Sequence, residues 1–301
     1  MTKPSMALLI LFMSFSSILI ADWRQYWDKS FVYNNKYQNV SVYAYKTTAT
    51  SKQVLVLNGG VGTISDNDVT QYNYMGQYFS NKGMQVIVLG FDYYGTFAHT
   101  TREAAQNVRN TISYVMGAGF VNRGFWLYST AGGSIMAANM FDYNLLDGIQ
   151  YAPLTVVCDR AIFVSGPVHG ITRNDIQNTA IVNLMDSKGV QSLDSLNSNL
   201  SWAQRSAVWA EPMRLKDNGN GLRFVYSNDD YVYCANPSQS CSSSPSMAEA
   251  VNDWLVNATD GIWDAQSVSN SGLLKILPSG GHDPLQSSRA TEILDFVYNN
   301  M

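Results

Sequence analysis

The sequence predicts an α/β fold with a mostly parallel central sheet and helices on both of its faces. Short, continuous apolar runs alternate with amphipathic helical patterns from about residue 54 to residue 140. Strands that are buried on both faces, as in parallel sheets, have this continuous apolar character. Right-handed crossovers would then put the connecting helices on both faces of the sheet. The chain has 301 residues and is 46% hydrophobic, which fits one large domain of this class better than two.

The predicted elements follow each other closely along the chain. Strands are predicted at 40–45, 54–57, 86–89, 161–164, 222–226 and 273–277, and helices at 69–82, 102–116, 247–256 and 287–298. Residues 22–36 are mixed and aromatic-rich. Residues 169–217 are polar and interrupt the alternation. We expect an insertion of short helices there, either a lid over the carboxyl edge of the sheet or an ordinary packed excursion.

The N-terminus has the pattern of an export signal. Lys3 supplies a positive start, residues 7–20 form an uncharged apolar run, and Ala21 is a small residue at the cleavage point. The run is shorter than the roughly 20 apolar residues that span a membrane. We therefore predict a signal peptide at 1–21, a single mature domain at 22–301 and a secreted or periplasmic protein without a stable membrane span. An uncleaved N-terminal anchor is the alternative.

Charge and cysteine content narrow the range of functions that the protein can have. The formal net charge is −4 and no basic block occurs, so nucleic-acid binding has no electrostatic support. Cys234 and Cys241 flank a Pro- and Ser-rich loop and are expected to pair in an oxidising compartment. Cys158 is left over as a buried small hydrophobe. With three histidines and no close Cys/His spacing, we expect neither a metal nor a cofactor.

The segment from Gly124 to Ala138, GFWLYSTAGGSIMAA, organises the rest of the chain. An apolar strand passes through hydroxyl residues and two glycines into a helical pattern. Such a strand–turn–helix elbow forces its turn residue outward at the carboxyl edge of the sheet. The free amides at the N-terminus of the helix can hold a negative charge beside it.

The elbow resembles the small-x-Ser-x-Gly-Gly motif of the α/β-hydrolase fold. Matching Gly132 and Gly133 to the glycine pair puts Thr130 on the nucleophile position. Two departures follow, since threonine replaces serine and Tyr128 stands where a small residue is expected. Ser129 is the alternative nucleophile. The resemblance extends over residues 40–300 and implies an α/β-hydrolase-like fold.

The same family places an acid and then a histidine after the nucleophile in the chain. The acid loop follows the strand at 222–226, where Asp229 and Val232 fit an Asp-x-x-Val spacing and Asp230 is the second choice. The base is His282, in a Gly-Gly-His-Asp loop after the last strand. Histidine suits this role because it can change its charge near neutral pH.

The resemblance also implies an oxyanion hole built from backbone amides. Residues 58–62, Asn-Gly-Gly-Val-Gly, resemble the His-Gly-Gly-Gly loop of the family. Gly60 or Val61 would give one amide, and Ala131 the other. This glycine loop has neither the Gly-Lys-Ser/Thr end of a P-loop nor the spacing of a dinucleotide site.

These residues together imply an exported hydrolase of carboxylic-ester bonds, acting on a small-molecule or polymer ester. Thr130, His282 and Asp229 would carry out acyl transfer. At an elbow with positive φ, a β-branched residue such as Thr130 costs about 1–3 kcal/mol. The alternative is therefore a weak or inactive protein of this fold that binds a ligand or partner. The oligomeric state is left open.

Overall fold

A computed structural model describes residues 23–33, 36–47, 52–59, 64–91, 102–117, 124–142, 149–151, 154–166, 221–230, 274–286 and 288–299. Several predictions lie outside these residues: the signal peptide, the insertion at 169–217, the helix at 247–256 and the pairing of Cys234 with Cys241.

Apolar segments form one mixed sheet. Its strands are β1 (Trp23–Tyr33), β2 (Lys36–Tyr45), β3 (Lys52–Leu57), β4 (Met84–Phe91), β5 (Gly124–Thr130), β6 (Ile149–Tyr151), β7 (Leu154–Val164), β8 (Leu222–Ser227) and β9 (Leu274–Leu277). The spatial order is β1-β2-β4-β3-β5-β7-β8-β9, and β6 pairs with β7. Pairing is parallel along β4-β3-β5-β7-β8-β9 and antiparallel for β1 with β2, β2 with β4 and β6 with β7. The predicted mostly parallel sheet is confirmed.

The antiparallel part of the sheet is larger than the sequence predicted. β1 lies where the sequence showed no clear pattern, and it pairs with β2 from Trp23 opposite Tyr45 to Tyr33 opposite Lys36. β7 begins at Leu154, well before the predicted strand, and its first residues form a hairpin with β6. Strand formation depends strongly on the neighbouring strand, which a single sequence does not display.

The helices follow the predicted order. A 3₁₀ turn (Asp68–Tyr72) leads into α1 (Asn73–Ser80), followed by α2 (Arg102–Gly117), α3 (Gly132–Asp142), a second 3₁₀ turn (Pro284–Gln286) and α4 (Ala290–Asn299). The first predicted helix thus starts as a 3₁₀ turn, and Gly83 follows its end with φ 77°. Among the described helices, none has both the length and the apolar character needed to cross a bilayer.

Both faces of the sheet are covered. Val54 and Val56 point to one face and Leu55 and Leu57 to the other, and all four are 0% exposed. On the first face, α1 and α4 pack over β5, where the Phe79 and Trp126 rings lie 5.9 Å apart in a T-shaped contact. The predicted helix–sheet–helix layering is confirmed.

One close approach fixes the start of α3 against the end of β3. A Cβ atom added to Gly133 would lie 2.2 Å from the backbone oxygen of Leu57. Backbone cannot move aside as a flexible side chain can, so only glycine fits here. The contact brings the carboxyl end of β3 next to the turn that follows β5.

We therefore predict that Gly133→Ala lowers the free energy of unfolding by about 1–3 kcal/mol, because it overpacks this contact. Asn110→Ala, an exposed position in α2, is the matched control and should change stability by less than about 0.5 kcal/mol. Urea unfolding measures both. Equal effects of the two substitutions would show that the approach of α3 to β3 is not tight.

Candidate active site

The residues that were predicted to carry out the chemistry lie at the carboxyl edge of the parallel strands. Asn58 and Gly59 follow β3, Ala131 follows β5, and the acid and histidine loops follow β8 and β9. Parallel strands end at the same edge, so the segments after β3 and β5 are neighbours, as are those after β8 and β9, and β7 separates the two pairs. This edge is the candidate active site.

His282 and Asp230 form the polar centre of the site. The Nδ1 atom of His282 lies 3.0 Å from both carboxylate oxygens of Asp230. Asp230 is 2% exposed, while the His282 side chain is 27% exposed. A carboxylate accepts hydrogen bonds, so the Nδ1–H of His282 donates to Asp230. The buried acid therefore orients the ring, and a histidine oriented in this way is suited to proton transfer.

The structure corrects the assignment of the acid. Asp229 is exposed, and its carboxylate accepts the N–H groups of Gly281 at 2.9 Å and Gly280 at 3.3 Å. A turn closed by the Asp230 N–H on the Ser227 carbonyl, at 3.2 Å, carries the chain past Asp229 and turns Asp230 inward. Asp230, the second choice, is the partner of His282, and Asp229 instead fastens the histidine loop to the acid loop.

The elbow is shifted by one residue from its predicted register. Ala131 has φ 45°, whereas Thr130 is the last residue of β5. The Ala131 N–H donates to the Val164 carbonyl at 2.9 Å, which continues the pairing of β5 with β7 for one more residue. The motif therefore reads Ser129-x-Ala131-x-Gly133, with small residues where the fold needs them. Tyr128 no longer departs from the motif, and the departure that remains is alanine at the nucleophile position.

The two predicted hydroxyl nucleophiles have other partners. The Thr130 Oγ1 accepts the Gly59 N–H at 3.2 Å and lies beside the Tyr72 hydroxyl. Ser129 is 1% exposed, and its hydroxyl donates to the Ile162 carbonyl at 2.9 Å. The Ser129 hydroxyl is thus part of the packing between β5 and β7, while Thr130 faces the loop after β3.

The oxyanion assignment changes with the register. Because the Ala131 N–H is bonded to β7, it is not a donor for substrate. The next amide, of Gly132, lies in the first turn of α3, where backbone N–H groups have no acceptor within the helix. Gly60 and Val61 lie outside the described residues. A Cβ on Gly59 would come within 2.5 Å of the Ala131 Cβ, so the segment that leads to them touches the elbow.

A buried tyrosine that the sequence did not single out supports this segment. The Tyr72 hydroxyl donates to Asn58 Oδ1 at 2.6 Å, and the two side chains are 4% and 8% exposed. Burial raises the pKa of Tyr72 far above its usual range, against a smaller lowering by the hydrogen bond with Thr130. Tyr72 lies in a helical sequence pattern, which is typical of an ordinary core residue. The sequence carries no signal for its bond to Asn58.

The histidine loop also approaches the end of β5. Burial raises the pKa of Tyr128, and the neighbouring Tyr72 and the charge of Asp283 raise it further. Asp283 follows His282 directly, so the histidine loop and the elbow strand are electrostatic neighbours. The histidine loop therefore lies near the carboxyl-terminal half of β5.

Other predictions concern metals and Cys158. Within the described residues, no group of three or more His, Cys, Asp or Glu side chains could hold a metal ion. Cys158 is 1% exposed, as predicted, and its thiol contacts the Arg160 carbonyl at 3.2 Å.

Comparisons with known proteins agree with this architecture. No protein-family model matches the chain, and no curated protein does. Among solved structures, the chain is similar to an esterase from Pyrococcus furiosus, with 8% identity, a TM-score of 0.55, and coverage of 93% of this chain and 91% of that one. It is also similar to a structure reported with carboxylesterases of the Thaumarchaeon Nitrososphaera gargenis, with 11% identity, a TM-score of 0.51, and coverage of 90% and 97%.

The chain has the α/β-hydrolase fold. The expected fold class is confirmed, and at this level of identity the likeness concerns the fold.

We predict that Tyr72→Phe lowers the free energy of unfolding by about 1–3 kcal/mol, because it leaves the buried Asn58 oxygen without its donor. Tyr74→Phe is the matched control. That tyrosine is 44% exposed and its hydroxyl bonds to Thr291 at the surface, so the change should stay below about 0.5 kcal/mol. Chemical denaturation of both variants measures the difference. Identical stabilities would remove Tyr72 as the support of this segment.

Proposed function

We propose that the protein hydrolyses carboxylic-ester bonds at the carboxyl edge of its sheet, with His282 as the base and Asp230 as its orienting acid. The observation that carries the proposal is the contact of His282 Nδ1 with both oxygens of a buried carboxylate, at 3.0 Å. A protein that only binds a ligand has no need for a histidine oriented in this way. The two residues also follow the elbow in the order nucleophile, acid, histidine.

The pair would move protons during attack on the ester carbonyl. Neutral His282 takes a proton from the attacking oxygen at Nε2, while its Nδ1–H stays on Asp230. The negative charge of the carboxylate stabilises the imidazolium that forms. The Gly132 N–H lies at the start of α3, where developing negative charge on the carbonyl oxygen is favoured. The reaction in this form requires no cofactor.

The substrate class and the compartment belong to the same proposal. The similar solved structures named above are described as esterases or carboxylesterases, which supports an ester of a small molecule or a polymer. The export pattern at 1–21 supports action outside the cytoplasm, in the periplasm or the medium. A predicted disulfide between Cys234 and Cys241 would be in keeping with that compartment.

A second candidate function is ligand binding without turnover. Ala131 favours it, because the residue at the elbow has no side chain that can attack a carbonyl. The two candidates differ in whether His282 matters to turnover or merely to the shape of the site.

We predict that the mature protein hydrolyses short-chain aryl or alkyl esters, and that His282→Ala lowers kcat/KM by about 10²–10⁴-fold, the usual contribution of a general base. Asp230→Asn should give a loss of similar size, because it removes the carboxylate that fixes the ring. The neighbouring Asp229→Asn is the matched control and should retain most of the activity, because its amide oxygen can still accept the Gly281 N–H. Initial rates with each ester measure all three.

Thermal unfolding of the same variants controls for folding. Ester turnover that persists at the wild-type rate in His282→Ala would contradict the proposal, as would a larger loss in Asp229→Asn than in Asp230→Asn. A folded wild-type protein that hydrolyses no ester of the panel would leave ligand binding as the better candidate.

A further inference from the structure

The elbow carries a methyl group at the place where this fold presents its nucleophile. Ala131 has the left-handed backbone of the turn, with φ 45°, and its Cβ faces the glycine segment after β3. Its N–H is held by the Val164 carbonyl, which fixes this register. The side chain that points at the oxyanion region therefore cannot form a bond to an acyl group.

The serine hydroxyls around the elbow are buried. Ser129, Ser134 and Ser165 are 1%, 0% and 1% exposed, respectively. The first donates to the Ile162 carbonyl at 2.9 Å and the second to the Ser129 carbonyl at 3.0 Å. A substrate carbonyl at the sheet edge does not reach buried oxygen atoms of this kind.

The Thr130 hydroxyl is held by the loop after β3. Thr130 is the last residue of β5, and its side chain lies on the same face of the strand as that of Tyr128. There its Oγ1 accepts the Gly59 N–H at 3.2 Å and lies beside Tyr72. These contacts make Thr130 a support for the loop after β3.

We propose that the nucleophile is a water molecule, activated directly by the His282–Asp230 pair at the carboxyl edge of the sheet, and that no acyl-enzyme forms. The methyl group occupies less room than a serine side chain, and the pair is oriented as a base. The inference rests on the proposed ester hydrolysis and gives it a route in which water attacks the ester directly, without a covalent enzyme intermediate.

The step balances without any additional reactant. His282 Nε2 takes one proton from water as the water oxygen bonds to the carbonyl carbon. The carbonyl oxygen becomes the oxyanion beside the Gly132 N–H. When the tetrahedral intermediate collapses, the bond from carbon to the alkoxy oxygen breaks, and that oxygen takes the proton from Nε2. One carboxylic acid and one alcohol leave, and His282 is neutral again.

This route predicts a slow enzyme. A single substitution, Ala131→Ser, would convert it into a faster enzyme with a covalent intermediate. Serine hydrolases that lack their nucleophile retain about 10³–10⁴-fold acceleration over water from the oxyanion hole and binding. Ala131→Ser places a hydroxyl where the fold presents its nucleophile. We expect that change to raise kcat at least about 10-fold and to create a covalent acyl-enzyme.

The test is rapid-quench intact-protein mass spectrometry during ester turnover, run with the wild type, Ala131→Ser and the double variant Ala131→Ser/His282→Ala. Parallel samples are treated with a fluorophosphonate and mapped by peptide mass spectrometry. The expected result is turnover without an adduct in the wild type, and an adduct on residue 131 in Ala131→Ser that is lost in the double variant. Melting temperatures establish that the variants are folded.

The outcomes separate this inference from the proposed function. An acyl or fluorophosphonate adduct on Thr130, Ser129 or Ser165 of a wild type that turns over esters overturns water attack and leaves ester hydrolysis standing. An inactive wild type whose Ala131→Ser variant is acylated overturns both for the natural chain. An active, adduct-free wild type supports water attack even if Ala131→Ser fails to fold.

Discussion

The hydrogen bond from the Ala131 N–H to the Val164 carbonyl is the constraint from which the rest of the site follows. At 2.9 Å it extends the pairing of β5 and β7 past Thr130, so the chain must reverse within one residue to start α3. Left-handed φ at Ala131 is the local cost of that reversal. The tight contact of Gly133 with Leu57 then sets the helix against β3. The same hydrogen bond therefore decides which residue stands at the elbow and which amide lies beside it.

The acid–base pair depends on the other end of the parallel sheet. β8 and β9 are paired, so the loops that follow them meet, and the Asn228 N–H reaches across to the Leu277 carbonyl at 2.9 Å. Asp229 fastens these loops through the Gly280 and Gly281 amides. Asp230 can then be buried against His282. The two adjacent acids have different roles. The exposed Asp229 holds the loops together, and the buried Asp230 orients the ring of His282.

Much of the fold could be predicted because buried parallel strands have a continuous apolar sequence. The order of β2, β3, β4, β5, β7, β8 and β9, the elbow and His282 could all be predicted from such runs and from the residues that end them, whereas β6 was not predicted. The choice between Asp229 and Asp230 could not be predicted, because it depends on the turn from Ser227 to Asp230, which points the two neighbouring acid side chains in different directions. The predicted register of the elbow was wrong for a similar reason. Two glycines fit the motif in either of two frames, and the bond between β5 and β7 decides between them. β1 was missed because its partner strand, rather than its own pattern, defines it.

The central claim is that a buried carboxylate, Asp230, holds the Nδ1–H of His282 beside an elbow without a nucleophile. Nitrogen-15 NMR of the uniformly labelled protein tests it most directly, since the chain has three histidines. A ring proton on Nδ1 of His282 that is shifted far downfield and protected from exchange is predicted for the wild type. It should disappear in Asp230→Ala and remain in Asp229→Ala. A His282 ring with no protected Nδ1 proton, or one that is lost only in Asp229→Ala, would contradict the pairing on which the proposed chemistry depends.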